Sequence, residues 1–87
     1  MDAAKFLDIA RETIAERGKL RDNNKERSMS KCVSIFNAIT GKSLTEAEGW
    51  YFMIALKLAR STSSNDIDSF IDLTAYSALL AECVNNQ

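Results

Sequence analysis

The segment Trp50 to Arg60, WYFMIALKLAR, constrains this chain more than any other feature. Read as a helix, it is apolar nearly all the way round and is interrupted only by Lys57 and Arg60. Such a helix has to be covered on more than one side. A chain of 87 residues can close only one core, and three more short helices offer too little surface to cover this one. The segment therefore predicts a single all-α domain over residues 1–87, a four-helix hairpin or bundle completed by a homodimer with this helix near its centre. Its start is marked by Thr45-Glu46-Ala47-Glu48. In that capping box the Thr45 hydroxyl and the Glu48 carboxylate satisfy each other's orphan backbone donors.

Three further helices follow from apolar residues spaced three and four apart. Over residues 2–17 the stripe is Ala3, Phe6, Leu7, Ala10 and Ile14, with Asp2 as N-cap and Gly18 expected in the left-handed position past the end. Residues 18–25, GKLRDNNK, are polar and read as a loop. Over 26–40 the stripe is Met29, Cys32, Val33, Phe36 and Ile39, with Asn37 at its border and Gly41 as the stop. The apolar segment occupies 45–61, and STSSN forms a turn in which Ser64 or Asn65 caps the last helix over 65–84. That helix presents Ile67, Phe70, Ile71, Thr74 and Ala78 on one face and Leu73, Tyr76, Ser77, Leu80 and Val84 on a second. Proline is absent, and nothing shows the two-residue period of a strand.

Composition removes whole classes of function. No histidine means no His-based triad, zinc site or general base. Two cysteines, Cys32 and Cys83, make neither a disulfide scaffold nor a thiolate zinc site and read as buried small hydrophobes. Eleven basic against twelve acidic residues leave no excess charge for duplex nucleic acid. No apolar run reaches the roughly 18–20 residues that span a bilayer. The opening Met1-Asp2-Ala3-Ala4-Lys5 has no signal-peptide pattern, so a cytoplasmic location is expected.

Chemistry concentrates on the last helix. Asp68 and Asp72 stand four apart, one turn above the other on the same face. Asp68 suits the positive end of the helix dipole. Asp72 is flanked by Ile71 and Leu73, beside the core, and needs a cation there. Lys57 and Arg60, three apart on the preceding helix, come into reach if the two helices return antiparallel. An ion pair from Asp72 to one of them is favoured over a metal; were a metal bound, Asp68 and Asp72 would be its ligands. Trp50, Tyr51 and Phe52 read as core or dimer interface rather than a base-stacking platform. Lys19, Arg21, Lys25 and Arg27 read as a solvated loop.

Lys57-Leu58-Ala59-Arg60, a short polar turn, then DSFIDLTAY from Asp68 to Tyr76 resembles small phage-encoded helical proteins related to the MazG-like nucleotide pyrophosphohydrolases. Ala15-Glu16-Arg17-Gly18 is similar to the Glu-Arg-Gly element that ends the first helix of that family. The likeness covers about Thr13 to Leu80. It departs at Lys19-Leu20-Arg21-Asp22-Asn23, where relatives usually carry Tyr-Gly-Asp, and at Ala75, where they carry glycine. The resemblance implies a magnesium site built from a Glu-x-x-Glu pair facing a Glu-x-x-Asp pair, with hard oxygens neutralising the phosphates being cleaved. Here the helix facing Asp68 and Asp72 bears Lys57 and Arg60 instead. Glu46 and Glu48 diverge by about 200°, and Glu12 and Glu16 lie on the exposed face of the first helix by pattern.

Two functions follow. One is a small phage- or prophage-type dimeric interaction or regulatory module with a degenerate MazG-like site, needing no cofactor and meeting a protein partner or a nucleotide. The alternative is a weak Mg2+-dependent nucleoside triphosphate pyrophosphohydrolase. The candidate polar cluster is Asn37, Lys57, Arg60, Asp68, Asp72 and Tyr76; no catalytic residue is assigned.

Overall fold

A computed structural model describes residues 1–21, 28–63 and 66–86. Among the described residues there are four α-helices and no strand: α1 (Ala3–Arg21), α2 (Ser28–Thr40), α3 (Glu46–Ser61) and α4 (Ile67–Asn85). None is long and apolar enough to cross a membrane. The all-α architecture expected from the apolar spacing is present.

α3 and α4 form an antiparallel hairpin, α1 packs across α4, and α2 leans on α3. The core lies where all four meet: Met29, Val33, Trp50 and Leu79 are buried together, with Ile14, Leu44, Met53, Tyr76, Leu80 and Cys83 around them. Trp50 and Tyr76 stack at a tilt, their ring centroids 5.6 Å apart.

Helix ends follow local chemistry. The Asp2 carboxylate accepts from the Lys5 amide at 2.9 Å, capping α1. The capping box of α3 is complete: Glu48 N–H donates to the Thr45 hydroxyl at 3.1 Å, and Thr45 N–H donates to Glu48 Oε1 at 2.9 Å. Gly41, at φ 72°, takes the left-handed turn past α2 that a side chain would resist. Asn37 then holds the connection to α3. Its amide donates to the Leu44 carbonyl at 3.0 Å, and its carbonyl accepts from the Leu44 N–H at 2.8 Å.

Four sequence expectations need correction. α1 does not stop at Gly18 but continues to Arg21 with Gly18 buried inside it. A glycine within a helix costs only about 1 kcal/mol relative to alanine, and the tertiary bond of Arg17 described below anchors that turn. The loop expected from 18 therefore begins beyond 21; residues 22–27 lie outside the described residues. The α4 cap is Asp66, which accepts from Asp68 N–H at 3.1 Å and from the Ser69 hydroxyl at 2.7 Å; Ser64 and Asn65 lie outside the described residues.

The other two corrections concern faces. The α2 stripe is buried only at Met29 and Val33, while Cys32, Phe36 and Ile39 are exposed, because none of the described residues covers the outer half of that helix. On α4 the buried line runs through Ser69, Ala75 and Leu79, between the two expected stripes. Ile67 and Phe70 are largely exposed. Small residues at the centre of the contact let the helices approach closely, and the larger apolar side chains flank it.

Candidate functional site

Asp72 sits on the inner side of α4, three residues before buried Ala75, with 15% of its side chain exposed. Its two oxygens face different helices. Oδ2 meets Lys57 Nζ of α3 at 2.9 Å, and Oδ1 accepts from Arg17 Nη2 of α1 at 3.1 Å. The Lys57 side chain is 12% exposed and that of Arg17 32%. One carboxylate thus fastens three helices at a point largely withdrawn from water, where charge-assisted bonds are strong and an unpaired charge is costly.

The antiparallel return places Lys57, not Arg60, against Asp72. Arg60 is exposed and pairs with no carboxylate among the described residues. Asp68 is exposed in the first turn of α4, where its charge meets the helix dipole. Tyr76 packs its ring on Trp50. Asn37 is occupied by the backbone of Leu44 on another part of the molecule. Of the six candidate residues, only Lys57 and Asp72 come together. Cys32, expected to be buried, is exposed, whereas Cys83 is half-buried beside the core.

Arg17 was not among the sequence candidates, yet its position signals it. It falls three residues after Ile14 and seven after Ala10, on the continuation of the apolar stripe of α1. A cation on a buried stripe needs an anion elsewhere in the fold.

The donor set does not fit magnesium. Both Asp72 oxygens already face cations, Asp68 points to solvent, and among the described residues no three carboxylate or thiol groups converge. Among the described residues, an octahedral array of hard oxygens is not assembled. What this arrangement does chemically is neutralise a carboxylate and hold α1, α3 and α4 in register.

A family model described as a domain of unknown function, DUF6378, matches residues 5–84. The chain belongs to that family. The match takes in Arg17, Lys57 and Asp72 and reaches into all four helices, so the ion-paired core lies within the DUF6378 domain itself. No curated protein and no solved structure matches the chain.

A second feature of the DUF6378 domain is a depression of about 640 Å³ between α2 and α3, walled almost wholly by apolar side chains that include Cys32, Phe36, Leu44, Tyr51, Phe52 and Met53. Its floor is a close contact: a Cβ built on Gly49 would meet Val33 Cγ1 at 2.9 Å and overlap the Met29 sulfur. Glycine at 49 is what allows α2 to lie this near α3.

Proposed function

We propose that this DUF6378 domain is a non-catalytic, homodimeric interaction or regulatory module of phage or prophage type, working in the cytoplasm of a bacterial host. In this reading it is a relative of the MazG-like pyrophosphohydrolases whose metal face has become an ion-pair network. The observation that carries it is the pairing of both Asp72 oxygens with Lys57 and Arg17. A carboxylate so engaged is a poor magnesium ligand, because binding the metal means displacing two cations and leaving them partly buried. The apolar surface left on α2 and α3 supports an interaction role.

The test is thermal melting with magnesium, alone and with nucleoside triphosphates. A ligand that binds the folded chain stabilises it by RT ln(1 + [L]/Kd), about 2.7 kcal/mol at a hundredfold excess over Kd. No magnesium-dependent shift is expected in the parent. A shift that appears in the parent and vanishes in Asp72→Ala, together with release of pyrophosphate, restores the Mg2+-dependent pyrophosphohydrolase and overturns the module.

A further inference from the structure

We infer that α1 is a strap that opens from α4 as a unit while α2, α3 and α4 stay folded, with Arg17 on Asp72 as its latch, a device independent of the function proposed above. The buried cluster of Met29, Val33, Trp50 and Leu79 belongs wholly to the other three helices. α1 adds only the half-buried Ile14 to the edge of that cluster, and among its described residues it buries Ala10 and Gly18 alone. It rests chiefly on α4. Leu7 and Leu20 point away from the contact, 61% and 82% exposed. The first turns of α1 are not closely packed either: a depression of about 340 Å³ parts Ala3, Phe6 and Leu7 from Phe70 and Thr74 of α4.

Among the described residues, a single polar contact fastens α1 to another helix, from Arg17 Nη2 to Asp72 Oδ1 at 3.1 Å. With 32% of the Arg17 side chain in water, that bond is weakened by screening. The other helices have fastenings of their own. Trp50 stacks on Tyr76, Lys57 meets Asp72 at 2.9 Å, and Asn37 holds Leu44, and none of these uses α1. The free energy of a local opening is set by the buried apolar contacts it breaks, so α1 lies at the low end for this fold. Once released it carries Gly18 in its interior and has lost the tertiary packing from which protein helices draw most of their stability, so it melts as it opens. Opening bares Asp72 Oδ1 and leaves Lys57 alone on the carboxylate. The strap therefore decides whether Asp72 is doubly or singly paired.

Native-state hydrogen exchange of the full chain tests the strap, located along the sequence by fragmentation mass spectrometry and repeated in urea below the unfolding midpoint. Amides of residues 10–19 should exchange at least about tenfold faster than the slowest amides of α3 and α4. Their rates should also depend less steeply on urea, because opening α1 exposes less surface than global unfolding. Two variants separate the possible routes. Asn37→Ala breaks a connection that stays intact when only α1 opens. It should speed the slowest α3 and α4 amides about tenfold and leave α1 unchanged. Arg17→Ala removes the latch and should speed α1 about fivefold. If α1 shares the rate and urea dependence of α3 and α4, or if Asn37→Ala speeds it by the same factor, it opens only with the whole domain and the strap is overturned. Rates that fall off smoothly from the N-terminus show fraying instead of a unit, and overturn it as well. An α1 that opens alone but exchanges no faster in Arg17→Ala overturns the latch.

Discussion

At Asp72 each carboxylate oxygen faces a different cation, so substitutions there separate charge from shape. Asp72→Ala strands Lys57 in a largely buried position and should cost about 2–4 kcal/mol in urea unfolding. Asp72→Asn keeps acceptor and volume and should cost less. Equal stability of the parent and both variants would sink the role given to this pair. Arg17→Ala should cost only about 1 kcal/mol, because a third of that side chain is in water and the bond is screened. Gly49 tests packing in the opposite direction. Alanine is the better helix former, but its methyl group would press on the stiff Val33 side chain. Gly49→Ala should therefore destabilise by about 1–2 kcal/mol, and adding Val33→Ala should recover little of the parent's stability while removing the clash, a non-additivity that a double-mutant cycle measures. Asp72 and Lys57 were readable in the sequence because a carboxylate between Ile71 and Leu73 demands a cation within one turn of a helical return. The choice of Lys57 over Arg60 was not, since both occupy the same helix face and only the crossing of α3 and α4 separates them.

The helices themselves are set off by short-range devices, and two of these respond to acid. The Glu48 carboxylate is held below its ordinary value of 4.5, chiefly by its bond from the Thr45 backbone. Asp66 is held below 3.8, chiefly by the Ser69 hydroxyl. Both folded values are depressed, so their contribution is present above those ordinary values and is lost as pH falls through the folded ones. Melting temperature should therefore drop as pH is lowered below 4.5, and less steeply in a Glu48→Gln, Asp66→Asn double variant. Identical acid profiles for the two proteins would remove the caps from the account. Asn37 acts on the connection rather than on a helix end. Asn37→Ala leaves the Leu44 N–H and carbonyl without their partner and should cost about 1–3 kcal/mol. Asn37→Asp, which sets a charge against that carbonyl, should be no better. The capping box and Gly41 were plain in the sequence because their bonds reach only three or four residues. The buried line of α4 was not plain. Apolar size pointed to Ile67 and Phe70, whereas close approach of three helices selects Ser69 and Ala75.

Across the whole molecule the chain is wider than its length implies. Its radius of gyration is 13.7 Å, against about 12 Å for a compact domain of this length. Apolar side chains of α2 and α3, Ile39 and Phe52 among them, lie exposed on this chain. Association into the proposed homodimer stabilises the folded chain by mass action, so the melting temperature should rise with protein concentration. A melting temperature independent of concentration in the parent would uncouple folding from self-association.

The sequence alone determined four helices, the capped start of α3, the turn at Gly41 and the need of Asp72 for a cation. Each depends on residues a few positions apart, whose geometry is settled once a helix forms. The tertiary structure alone decided that α1 runs on through Gly18, that Arg17 joins Lys57 on Asp72, and that α4 buries Ser69 and Ala75 instead of Ile67 and Phe70. Those outcomes depend on which helices cross and how closely, and the distances involved, such as the 55 residues between Arg17 and Asp72, are closed only by the fold.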